Sequence, residues 1–192
     1  MNEKSRRRLG VASIAAGSLL FAGQAGELIF GSPSDLVDVV FVVLGVGGFA
    51  ALGVAFWELR RTVLTRAGRI GVRLGLAGMA FLGLFSVQLL VEAVRTGDIP
   101  ENFLLFAIGF LLLLVAHPLV AFGLRGHAWL GRGWMLLLVA VLGIVVFVTA
   151  GDALGPVHDI GLFVFEGAWA AFGLTVLRAG RQPVAAPATH LV

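Results

Sequence analysis

Long apolar runs separated by short polar punctuation make up nearly the whole chain, and the runs are far longer than the strands of a membrane barrel. A helix needs about 20 mostly apolar residues to cross roughly 30 Å of hydrocarbon. Six segments meet that demand: Leu9 to Gly31, Leu36 to Leu59, Ile70 to Val94, Phe103 to Leu124, Gly133 to Thr149 and Val157 to Leu177. In lipid each backbone N–H and C=O must be satisfied within the protein, which makes these segments helices. The predicted fold class is therefore all-α: a polytopic membrane protein with six transmembrane helices arranged as three helical hairpins over residues 1–181. The tail, residues 182–192, holds Pro183, Pro187 and several alanines without a helical pattern and is expected to be disordered.

Polar positions then orient the bundle. Thirteen of the fourteen Lys and Arg residues fall before the first run, between runs two and three or in the first turn of run three, between runs four and five, or after run six; only Arg95 falls on the other side. Positively charged connections stay on the cytoplasmic side, so both termini are expected there, in a prokaryotic plasma (inner) membrane. Trp57, Trp129 and Trp134 lie near the same helix ends, where indole rings favour the interface. Lys4 to Arg8 followed by an apolar stretch and Gly23 to Ala25 also fits a cleaved signal peptide. The run continues through Leu28-Ile29-Phe30, however, which favours a retained first helix.

Composition removes several function classes. With 59% apolar residues, 13% charged residues and a mean hydropathy of +1.00, a soluble domain is excluded. The pI near 11.0 does not imply nucleic acid, because the arginines cluster between spans rather than on a polar surface. The absence of cysteine removes disulfides, thiolate metal sites and thiol catalysis. No Gly-rich phosphate loop, metalloprotease helix or serine elbow occurs. These absences favour a non-enzymatic role over membrane-embedded catalysis, which stays as a third alternative, and no cofactor or metal is expected. His117 and His158 fall at different depths and do not make a haem pair.

The three hairpins share punctuation. Each outer turn carries glycine, proline and an acid: Gly31, Pro33 and Asp35; Gly97, Pro100 and Glu101; Gly155, Pro156 and Asp159. Each returning helix ends in Leu-Arg, at Leu59-Arg60, Leu124-Arg125 and Leu177-Arg178. Proline and an acid suit a first helical turn, the acid because it meets the positive end of the helix dipole. An internal repeat is expected from this. The three-hairpin plan resembles that of acid-resistance membrane proteins of the HdeD type, a likeness of architecture that includes no shared motif and implies no particular function.

Inside lipid, small residues let helix backbones approach. Gly47, Ala51 and Ala55, Gly71 and Gly75, and Gly167 and Ala171 recur at four-residue steps and are the expected packing positions, within one chain or in a homo-oligomer. Ionisable groups within a span are costly and are candidate functional residues. Glu166 is the strongest, about eight residues into its helix and so roughly 12 Å below its start. Its carboxyl needs a partner, water or a proton. Asp159 lies seven residues before it, next to His158. Gln88 and Glu92 share a face of the third helix, and Gln24 and Glu27 a face of the first. Converging with Asp38, these would line an acidic funnel open to the outer side, able to admit protons or a cation. His117 and Pro118 mark a candidate hinge, since proline removes a backbone donor. Two functions follow: a small proton- or cation-handling transporter or channel-like protein, or a structural or stress-related membrane protein acting through packing, a partner or lipid.

Overall fold

The computed structural model describes residues 1–30, 35–63, 65–96, 103–150 and 156–179. These form six helices: α1 (Glu3–Phe30), α2 (Asp35–Leu59), α3 (Arg66–Thr96), α4 (Leu104–Leu124), α5 (Met135–Ala150) and α6 (Pro156–Ala179), with a short 3-10 turn at Ala128–Leu130. The chain is a helical membrane protein, and five of the six helices are long and apolar enough to cross a bilayer. The exception is α5. Its 16 residues reach about 24 Å at 1.5 Å per residue, short of the roughly 30 Å hydrocarbon core.

Two helices start earlier than their apolar runs because of side-chain caps. Asn2 Oδ1 accepts the Ser5 N–H at 2.8 Å, and Thr65 Oγ1 accepts the Gly68 N–H at 3.1 Å. Each cap satisfies a first-turn donor and carries the helix into the neighbouring basic segment. By contrast α5 starts two residues later than expected. Gly131 adopts φ +53° directly after the 3-10 turn, a conformation suited to glycine, and the Gly133 N–H bonds back to the Leu130 carbonyl at 2.9 Å.

Each helix packs on its neighbours in sequence, and α6 returns to α1, so the six form a closed ring. The start of α1 and the end of α6 lie at one end of the bundle, called here the terminal end; the other is the distal end. The glycine and proline positions of the three predicted outer turns, together with the tail, lie outside the described residues, except Pro156, which begins α6.

The middle of the ring is filled. Phe56 from α2, His117 from α4 and Trp169 from α6 meet with ring centroids 5.4 to 5.6 Å apart, flanked by Phe165 and Phe172. All five side chains are buried. A second aromatic group joins Phe85 of α3, Phe106 and Phe110 of α4 and Phe147 of α5. The outer surface is apolar, with Val43, Leu84, Leu111, Leu142 and Val148 each more than half exposed, as a lipid-facing surface requires.

Close backbone approach holds the seams. A Cβ on Gly143 would stand 2.6 Å from the Gly161 carbonyl oxygen, and one on Gly78 would stand 2.9 Å from that of Gly109. Of the expected packing positions, Gly71 lies against the Ala116 carbonyl, Gly75 receives the Phe56 ring, Ala55 is fully buried and Gly47 faces Leu19. Ala51 and Ala171 are half-buried. Gly167 faces outward, and a Cβ there would meet nothing within 4 Å. Helix α6 approaches α5 at Gly161 and α1 at Glu166 and Gly173, and Gly167 lies on neither of these sides.

A polar clamp fixes the terminal end. Glu58 of α2 is 3% exposed, accepts a hydrogen bond from Ser5 Oγ of α1 and lies 3.9 Å from Arg8. Replacing it by alanine leaves a buried hydroxyl without its acceptor, so Glu58→Ala is expected to destabilise the fold by about 1–3 kcal/mol. Adding Ser5→Ala should return part of that loss in a denaturant titration. Simple additivity of the two losses would deny the coupling.

Candidate functional site

The α1–α6 seam repeats every seven residues on both helices, which run antiparallel. Nearest the terminal end Gly10 opposes Gly173, whose Cβ would stand 2.5 Å from the Gly10 carbonyl oxygen. One heptad on, Gly17 opposes Glu166. A Cβ on Gly17 would collide with the Glu166 carbonyl oxygen and stand 2.7 Å from the Ala170 nitrogen. A further heptad on, Gln24 opposes Asp159 and its side-chain amide donates to Asp159 Oδ1 at 2.9 Å. The seam thus changes from bare backbone contact at the terminal end to polar side-chain contact at the distal end.

Glu166 stands at the change. Its residue is 4% exposed, and Oε2 is buried without a hydrogen-bond partner among the described residues. A buried carboxyl oxygen with no donor is costly in an apolar medium, so this position calls for a proton, a cation or water. Asp159 lies seven residues nearer the distal end, about 10.5 Å along the helix.

His117 is fully buried and bonded on both ring nitrogens: Nδ1 lies 2.6 Å from the Leu113 carbonyl and Nε2 lies 3.0 Å from Trp169 Nε1. An indole N–H can only donate and a carbonyl can only accept, which makes Nε2 the acceptor and Nδ1 the protonated nitrogen. The ring is a neutral tie between α4 and α6. Pro118 follows within α4, which continues through it to Leu124.

The other sequence candidates fall into separate places. Gln88 Nε2 donates to Glu92 Oε1 at 3.1 Å within α3, across the ring from the α1–α6 seam. Glu27, Asp38 and His158 lie on α1, α2 and α6, but their side chains are outside what the structure describes. Of the expected funnel, the structure brings together Gln24 with Asp159 and Gln88 with Glu92, as two pairs. Among the described residues no three His, Asp or Glu side chains gather as a metal site. The partners of Glu58 and His117 escaped the sequence reading, because Ser5 and Glu58 are 53 residues apart and His117 and Trp169 are 52 apart. No local pattern signals such pairs. No protein-family model, curated protein or solved structure matches the chain.

Proposed function

We propose that this protein handles protons or a small cation across a membrane, with Glu166 as the binding group and the Gln24–Asp159 pair as its distal approach. The observation that carries this reading is the buried carboxyl of Glu166, unpartnered at Oε2, on the seam that leads to that pair. Beyond it, Gly10 against Gly173 and the ring of Phe56, His117 and Trp169 close the way to the terminal end. This is an occluded arrangement that serves a gated carrier better than an open channel. The arginine bias supports a reading with both termini on the cytoplasmic side and the distal end outside, in which uptake begins from the outer side.

The test is flux into liposomes of purified protein with a pH-sensitive dye inside, with and without candidate cations. Wild type should carry flux, and Glu166→Gln, which keeps volume and a donor, should lose at least about tenfold while melting within a few degrees of wild type. Equal flux in both proteins would remove Glu166 from the path. Absence of flux in wild type would favour the second reading, a structural or stress-related membrane protein, which the filled aromatic centre supports.

A further inference from the structure

The outer side of the α2–α3 pair carries an apolar groove of about 470 Å³ lined by residues of both helices. Its α2 wall is the stripe Val46, Ala50, Gly53 and Trp57, and its α3 wall is Leu76, Ala80 and Gly83. Both stripes keep the three- and four-residue steps that hold one helix face. Extended one turn toward the terminal end, each stripe meets an arginine: Arg60 after Trp57, and Arg73 before Leu76. The two helices run in opposite directions, so both arginines stand at the same mouth of the groove. Arg61 in the α2–α3 connection and Arg66 and Arg69 in the first turn of α3 join them, and all five are exposed. Arg60 stacks over the Trp57 ring with its guanidinium carbon 3.8 Å from the centroid. Stacking holds the plane of the guanidinium while leaving its edge donors available to phosphate.

We infer that this groove is a binding site for one anionic phospholipid, with an acyl chain along the Gly53–Gly83 floor and the headgroup phosphate at Arg60 and Arg73. The length fits. Val46 to Trp57 is eleven residue steps, or about 16 Å, close to half of a roughly 30 Å hydrocarbon core and hence to one leaflet. The charge fits also: an anionic headgroup meets an arginine cluster, each cation near the surface favouring such lipids by about fivefold. A second copy of the chain is the poorer occupant. A two-fold interface along this groove would set the two Arg60–Arg73 mouths against each other.

The experiment is native mass spectrometry of the full chain in detergent, titrated separately with phosphatidylglycerol and phosphatidylcholine. Wild type should retain one phosphatidylglycerol at concentrations at least about tenfold below those needed for phosphatidylcholine. Arg60→Gln with Arg73→Gln should erase that preference. Gly53→Leu with Gly83→Leu should fill the groove and abolish retention of both lipids. Both glycines tolerate a side chain: a Cβ on Gly53 has its nearest neighbour, Met79 Cβ, at 3.9 Å, and one on Gly83 has nothing within 4 Å. Equal retention of the two lipids by wild type, or undiminished phosphatidylglycerol on the leucine variant, would overturn the inference. A dimer that the leucine variant loses would assign the groove to a second copy instead.

Discussion

Gly17→Val is expected to be among the most damaging single substitutions in the chain. Its Cβ would collide with the carbonyl oxygen of Glu166 and crowd the backbone nitrogen of Ala170. Neither atom belongs to a flexible side chain that could turn away. The helices cannot separate locally, because Gly10 against Gly173 and Gln24 against Asp159 fix the seam one heptad to either side. Overpacking of this kind costs about 1–3 kcal/mol for an added methylene or two, and valine on a backbone-to-backbone contact should reach about 3 kcal/mol or more. By the scaling for chains of this size, the melting temperature should fall by about 6–12 °C or the protein should fail to fold. Gly167→Val is the control: it lies on the same helix as Glu166 with open space around it, so its change should stay within about 0.5 kcal/mol. Thermal unfolding in detergent compares the two. Similar melting temperatures would mean that α1 and α6 do not meet at this register.

The second large effect belongs to Trp169. Its indole is fully buried between Phe56, His117 and Phe172, and it supplies the donor to His117 Nε2. Trp169→Ala removes the largest side chain from the centre of the ring, at a cost of about 3–5 kcal/mol. Trp169→Phe keeps much of the volume but removes the donor and leaves the buried His117 Nε2 unpaired, so it should cost about 1–3 kcal/mol. Combining Trp169→Phe with His117→Phe isolates the hydrogen bond, for which interhelical bonds in membranes give a coupling of about 0.6 kcal/mol and at most about 1.7. A coupling near zero in a denaturation cycle would make the histidine a packing residue only.

The helices were legible in the sequence because hydrocarbon thickness imposes a length and backbone satisfaction imposes a conformation. The six runs and the six observed helices differ mainly where polar atoms act. Asn2 and Thr65 extend two helices outward, and Gly131 shortens the approach to α5. Glu166 stood out because a carboxyl deep in an apolar run is unusual whatever surrounds it. Its surroundings were not legible. That Gly17 faces it depends on which helices meet, and ring closure pairs the first with the last. Four-residue glycine spacing directed attention to Gly167, whereas the seam that α1 shares with α6 advances by sevens through Gly10, Gly17 and Gln24. Small residues are frequent in this chain, with 27 glycines, so spacing alone could not separate a lipid-facing glycine from one that touches a backbone.

Ring closure also fixes when the fold can be completed. Gln24 and Asp159 are separated by 135 residues, and at about 5–20 residues per second a ribosome takes roughly 7–27 s to synthesise that interval. Throughout it, the face of α1 that carries Gly10, Gly17 and Gln24 waits without its own partner. That face is equally complementary to the α6 of a finished neighbouring chain, so exchange of first helices between nascent copies is the misassembly to which this topology is most exposed.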